Sequence, residues 1–359
     1  MPQTSTTATA TDLGDKTPQA DEAITEDEAA LYDRQIRLWG LEAQQRMRNA
    51  TVLVLRLKGV ATETIKNIVL AGIGTLIVVD TEDVSAEDLG AGFFFRDEDL
   101  GHKASAKSRV NAAKARIEAL NPLVKVETHY DHSILQDRPL DDLISGVNLV
   151  CATDWDREEL IRINNVCRRF SKPFYAGGSY GLLGYIFCDL LKHDYISPDR
   201  GGPPNKDSGP AKNVRLTASY APLEKALRDH RWTGLTRKQT KELNPAAVFS
   251  ILALWEYQAR HDGLLPSDVD KAGEIEAIAA DLVTKAQVNR QALPNVPKEL
   301  VESVAVTASH ELSPVCAIVG GMLAQDILKT LGAREAPISN FFTFDGSTGA
   351  GTVVKMCME

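Results

Sequence analysis

A strand, a helix and a second strand follow one another early in this chain, and few folds accommodate that order. From Thr51, "TVLVLRL" is a short apolar run of strand type, "GVATETIKNIVLAG" is amphipathic and stops at Gly72, and "TLIVVD" is a second buried run ending on Asp80. Strand, helix and strand within about 30 residues make a βαβ unit, whose strands lie parallel. The alternation continues. Ala104 to Leu120 reads as a helix, "VKVETHY" and "VNLVCATD" as strands, and Trp155 to Phe170 as a helix. "KPFYAGGSYGLLGYIFCDL" then reads as strand, glycine turn and strand. This pattern predicts an α/β protein with a doubly wound, mostly parallel sheet.

Two segments stand outside the rhythm. Residues 1–24 are rich in Thr, Ala, Asp and Gln without periodicity, and are expected to form a disordered tail. Residues 192–308 open on the loop-like "SPDRGGPPNKDSGP" and continue with helical patterns, so an inserted helical subdomain is expected there. The main domain would then be residues 25–191 and 309–359. Its last part holds a buried helix, "SPVCAIVGGMLAQDILKTLG", in which Gly320 and Gly321 would allow close packing, and two returning strands, "NFFTFDG" and "GTVVKM".

Composition excludes several functions. A formal charge of 40 − 49 = −9 argues against a nucleic-acid surface. No apolar run is expected to approach the roughly 18 residues of a membrane span, and the start, "MPQTSTTATA", has no signal-peptide character. The five cysteines are scattered, none in C-x-x-C spacing, which points to neither disulfides nor structural zinc.

The stretch "LYDRQIRLWG" follows a capping box at Thr25 and Glu28 and ends on Gly40. One helix is expected, with Tyr32, Ile36 and Trp39 on its apolar face and Arg34 and Arg37 opposite. In a Rossmann-type fold the turn after the first strand cradles phosphate, and it needs glycines so that backbone amides can approach the anion. Here the first two glycine positions of G-x-G-x-x-G/A hold Arg56 and Lys58, and only Ala61 at the third is permitted. The reading is a disabled cradle. Asp80 still stands where a ribose-binding acid would.

These motifs, in order, resemble the ThiF/MoeB-type adenylating half-domains of the enzymes that activate ubiquitin-like proteins. "YDRQIRLWG" resembles that family's first helix, residues 52–80 its nucleotide-binding unit, and "ELSPVCAIVGGMLAQDILKTL" with "NFFTFDG" its C-terminal elements. Within the family the likeness is nearest to the small, non-cysteine subunits that serve the modifier SUMO. The resemblance implies a pseudo-adenylation domain. Of the active G-x-G-G-x-G pattern only Gly59 and Ala61 remain. Gly90, Ala91 and Gly92 stand where ribose- and phosphate-binding residues should be, and Ala104, beside Lys103, where a phosphate-binding lysine should be. Asp80 and Asp154, the latter matching a metal-binding aspartate, survive.

The implied function is that of an accessory subunit in a heterodimer. A large catalytic-cysteine partner would bind ATP and magnesium, adenylate SUMO and form the thioester. This chain would bind no cofactor of its own and would supply Arg34 in trans to the partner's ATP, since a guanidinium presents a permanent planar fork to phosphate oxygens. Arg37 and Trp39 are interface candidates. Cys151 and Cys316 read as small core residues rather than nucleophiles. No membrane or nucleic-acid partner is expected, and nuclear residence follows from the resemblance alone. The rival readings are the equivalent subunit for another modifier, a self-sufficient homodimeric sulfur-carrier enzyme, and a scaffold with the same dead fold.

Overall fold

The computed structural model describes residues 24–101, 107–198 and 213–358. The expected disordered tail therefore lies outside the described residues except for Ile24, whose amide donates to Gln45 Oε1 at 2.8 Å. Ten strands are described: β1 (Thr51–Leu55), β2 (Thr75–Val79), β3 (Lys125–His129), β4 (Leu149–Thr153), β5 (Phe174–Tyr180), β6 (Leu183–Asp189), β7 (Lys192–Pro198), β8 (Asn213–Ser219), β9 (Phe341–Asp345) and β10 (Ala350–Val354). Eight of them form one sheet in the order β10-β9-β6-β5-β4-β1-β2-β3. From β3 to β5 neighbours run parallel. From β5 outward β6, β9 and β10 are antiparallel. The returning C-terminal strands thus complete the sheet, as their sequence implied.

Helices cover both faces. In chain order they are α1 (Glu26–Leu31), α2 (Asp33–Trp39), α3 (Leu41–Arg48), α4 (Gly59–Leu70), α5 (Asp88–Ala91), α6 (Arg109–Glu118) and α7 (Asp137–Ser145). There follow α8 (Arg157–Arg169), α9 (Leu223–Asp229), α10 (Arg237–Glu242), α11 (Pro245–Arg260), α12 (Ala272–Lys285), α13 (Lys298–Thr307) and α14 (Ser313–Gly332). Successive strand residues point to opposite faces, so β1 sends Val52 and Val54 into one core and Leu53 and Leu55 into the other. The first core packs beneath α4, α6 and α14, the second beneath α7, α8, α11 and α12. Burial on both faces explains why β1, β2 and β4 read as continuous apolar runs rather than alternating ones, whereas in the edge strand β3 only Val126 is buried.

Several expectations need correction. The first helix is two helices, broken at Tyr32 (φ −97°, ψ 18°). The buried Tyr32 ring lies so close to Gly72 (φ +83°) that a Cβ there would stand 2.5 Å from Tyr32 Cζ, and the Tyr32 hydroxyl accepts from Asn121 Nδ2 at 2.8 Å. Seating that ring bends the chain away from one continuous helix. The helix expected from Ala104 starts at Arg109, capped by the Ser108 hydroxyl; Lys103 and Ala104 lie outside the described residues. Residues 192–308 are not helical throughout, because they open with the antiparallel β7–β8 ribbon. The helices that follow bury Phe249, Trp255 and Ile275 in the same core as β5 and β6. Of the adjacent pair Gly320 and Gly321 in α14, only Gly320 faces α4; a Cβ at Gly321 would meet nothing within 4 Å. Contrary to expectation, α14 is long and apolar enough by length and composition to cross a membrane. In this fold its apolar side, including Val319, Leu323 and Ile327, fills the core above α4.

Candidate functional site

The four leading N–H groups of a helix have no partner within it, which makes a helix start a receptor for anions. At the end of β1 the chain turns through Arg56 (φ 72°) and Lys58, and α4 begins at Gly59 with no side-chain cap from Lys58. The amides that would meet a phosphate are already taken by carboxylates of the chain itself. Leu57 N–H donates to Asp80 Oδ2 at 2.6 Å, and Gly59 N–H donates to Glu311 Oε1 at 3.0 Å. Asp80 is further held by Glu82 N–H, which donates to its Oδ1 at 2.7 Å. Asp80 therefore braces the turn rather than presenting itself to a ribose.

The surrounding residues close the rest of the cradle. A Cβ at Gly59 would sit 2.8 Å from Cys316 Sγ and 3.1 Å from Ala91 Cβ, so this glycine is required by close packing. Ala91 lies buried against it, Gly90 faces open space, and Gly92 accommodates the Phe95 ring. None of these three positions carries a donor. Arg56, which could have drawn a phosphate, is tied up: Nη1 donates to Asp154 O at 2.7 Å, Nη2 donates to Glu82 Oε1 at 3.2 Å, and its guanidinium lies 5.3 Å from the Trp155 ring centroid. Thr153 Oγ1 donates back to Arg56 O at 2.9 Å. Arg56 and Asp154 (φ 56°) are both left-handed non-glycine residues, and backbone strain of this kind concentrates at binding sites. The turn keeps such a geometry while its contents have changed.

Electrostatics reinforce the point. Arg109, at the start of α6, is buried among acids: Nε donates to Asp88 Oδ2 at 3.0 Å, Nη1 donates to Glu82 Oε2 at 2.7 Å, and Nη1 stands 3.6 Å from Asp80 Oδ2. Burial disfavours its charge, but Asp80 and Asp88 outweigh that and keep it firmly protonated. Burial raises Asp80 more than the Leu57 amide and Arg109 lower it. For Glu82 the balance is reversed: burial pushes it up, and the charges of Arg56 and Arg109 pull it below the ordinary range. Burial and then the charge of Asp154 push Glu311 up to about 7, against the nearby Lys58, whose Nζ is 4.0 Å from its Oε2. Asp154 is likewise raised by burial; its Oδ1 accepts from Ser179 N–H at 3.2 Å, and its Oδ2 has no hydrogen-bond partner among the described residues. Five acids (Asp80, Glu82, Asp88, Asp154, Glu311) thus face three cations (Arg56, Lys58, Arg109). A nucleoside triphosphate needs the opposite balance and free amides. The residues present do not fit one.

Sequence reasoning missed Glu311, Arg109, Glu82 and Asp88. Arg109 gave no signal, since it fell inside the body of the helix expected from Ala104. Cys151 and Cys316 are buried, with thiols pushed up to about 12 by burial, as core residues should be.

The first-helix arginines lie elsewhere, on the surface. Arg34 is exposed and makes no hydrogen bond or ion pair with any described residue. Arg37, 78% exposed, pairs within its own helix with Asp33 at 3.0 Å. Trp39 is half-buried and donates through Nε1 to Gln44 Oε1 at 2.9 Å. Along the neighbouring sequence Leu31 is 61%, Leu38 77% and Leu41 56% exposed, and on α14 Ile318 and Met322 also face outward.

The chain matches the ThiF family over residues 32–358. It is 33% identical to the SUMO-activating enzyme subunit 1 of Xenopus laevis over 346 residues, covering 92% of this chain and 96% of the other. It is 32% identical to the human protein of the same name over 352 residues, covering 93% and 97%. It is also 33% identical to the DNA damage tolerance protein RHC31 of Saccharomyces cerevisiae over 350 residues, covering 91% and 96%. Among solved structures, that of PaaA superposes with a TM-score of 0.56 at 15% identity, over 97% of this chain and 78% of that one, a likeness of fold. The parallel sheet, the strand-to-helix turn and end-to-end similarity at this level agree: the chain belongs to the ThiF family, among the subunit 1 proteins of SUMO-activating enzymes.

Proposed function

We propose that this chain is the accessory subunit of a heterodimeric SUMO-activating enzyme, working beside a larger catalytic-cysteine subunit. That subunit binds ATP and magnesium, adenylates SUMO and carries the thioester. This chain binds no nucleotide and contributes half of the dimer together with Arg34, which reaches the partner's ATP. The observation that carries the reading is the cradle closed by Asp80 and Glu311, next to relatives that are similar from end to end and carry the subunit 1 name. A chain without free phosphate donors cannot stabilise the charge of adenylyl transfer in its own pocket. An exposed guanidinium without a partner among the described residues suits a phosphate contact made across an interface. The reading also places the chain in the nucleus, which fluorescence of a tagged copy checks.

The test is reconstitution. Mixed with its large subunit, SUMO, ATP and magnesium, the chain supports SUMO thioester formation on the partner's cysteine. Titrated alone by calorimetry with ATP and magnesium, it shows no binding; micromolar affinity would overturn the closed-pocket reading. Activation of a different ubiquitin-like modifier in preference to SUMO would favour the rival subunit assignment.

A further inference from the structure

The misfit between this cradle and a nucleotide has a specific physical agent. Two carboxylates take the anion-receiving amides, and they differ in kind. Asp80 closes β2 and is fixed by its own loop through Glu82 N–H. Glu311 reaches Gly59 from 252 residues away, on the short segment between α13 and α14. That segment is held by few bonds: Gly181 N–H donates to His310 O at 3.0 Å, Gly181 and Glu311 form an isolated β-bridge, and the carboxylate docks on Gly59. The Glu311 side chain is 9% exposed and has Lys58 at 4.0 Å on its other oxygen. An acceptor oxygen on a helix-start amide with an ammonium beside it is the arrangement a phosphate oxygen would adopt.

We infer that the Glu311 carboxyl group is an intramolecular plug, a hydrogen-bond acceptor supplied by the chain itself that holds the remaining phosphate cradle shut and pins the start of α14 to the start of α4. The inference rests on the closed-pocket reading above. It goes further in making the closure depend on one movable side chain as well as on the lost glycines. Three consequences follow. The Gly59 amide is unavailable to any external anion while Glu311 is docked. Removing the carboxylate frees that amide and Lys58 together. The segment at 309–312 loses an anchor at the same time, next to the apolar face of α14.

The experiment compares the full chain with Glu311→Ser and Glu311→Ala, whose side chains are too short to reach the Gly59 amide, with Glu302→Gln as a surface control. The probe is inorganic pyrophosphate, added to 15N-labelled protein with the Gly59 amide as reporter. In the parent and the control the Gly59 resonance does not move with pyrophosphate. In the Glu311 variants it shifts saturably, with at least tenfold tighter binding than the parent shows. If neither variant shifts at Gly59, the plug is wrong while the closed-pocket reading stands. If the parent itself binds pyrophosphate at Gly59, both readings fail. Should Glu311→Ala not fold, Glu311→Ser decides, because its short side chain also leaves the Gly59 amide free for the probe.

Discussion

Adjacent glycines in α14 should respond oppositely to the same substitution. In the middle of a helix, alanine is worth roughly 0.5–1 kcal/mol over glycine, because glycine loses more backbone freedom on folding. At Gly321 nothing within 4 Å opposes a methyl group, so Gly321→Ala should gain that amount. At Gly320 the new Cβ would lie 2.6 Å from Glu63 Cβ, 2.8 Å from Val60 O and 3.1 Å from Thr64 N. Two of these are backbone atoms of α4 and cannot swing aside. The helices must separate, and they do so along the seam that carries Ile65, Ile68, Val319 and Leu323. Overpacking of a tight contact costs about 1–3 kcal/mol. After the propensity gain, Gly320→Ala should still lose about 0.5–2 kcal/mol, and since that gain is common to both, the neighbouring variants should lie about 1–3 kcal/mol apart. Equilibrium urea unfolding of the isolated chain, followed by circular dichroism, measures the gap. A Gly320→Ala midpoint equal to or above that of the parent would refute the α4–α14 packing.

Three further outcomes follow from the same structure. Arg109→Met leaves Asp80 and Asp88 buried without their cation, and loss of one partner from such a cluster costs about 3–5 kcal/mol, read as a lowered urea midpoint. Tyr32→Ala removes a buried ring that seats against Gly72, for a loss of about 3 kcal/mol, with hydrogen exchange rising in α1 and α2 before the sheet. Asp326, enclosed beneath Tyr175 and the Ile338 amide, is pushed up to about 6 by burial. The folded state therefore holds a proton that the unfolded chain releases near pH 4, so stability falls as pH rises from about 4 to about 6 and the penalty is complete above that. Its size is about 3 kcal/mol; Asp326→Asn should flatten the stability profile across that window, and an unchanged slope would contradict the assignment.

The parallel half of the sheet was legible because β1, β2 and β4 are buried on both faces and are followed by helical stretches with a glycine, Asn-Pro or capping stop. The break at Tyr32 was not, since the apolar spacing of Tyr32, Ile36 and Trp39 is that of one continuous helix; only the ring's seat on Gly72 interrupts it. The β7–β8 ribbon was hidden by strands of mixed character, such as "KHDYISP", that bury little. At the site, the loss of glycines at Arg56 and Lys58 was visible in the turn itself. What replaced the phosphate was not, because Glu311 is separated from Gly59 by 252 residues. Arg109 sat inside what read as the body of a helix, and its burial depends on Asp80, Glu82 and Asp88 arriving from another loop.

The most direct test of the account is SUMO-dependent ATP–pyrophosphate exchange by the reconstituted heterodimer carrying Arg34→Ala. Arg34 has no partner among the described residues of its own chain, so its removal should leave folding and subunit assembly intact, as size-exclusion chromatography would verify. A trans guanidinium on phosphate is worth on the order of 10³–10⁵ in rate where it has been removed elsewhere. The account predicts an intact heterodimer whose exchange falls by at least tenfold. An intact heterodimer with undiminished exchange would contradict it.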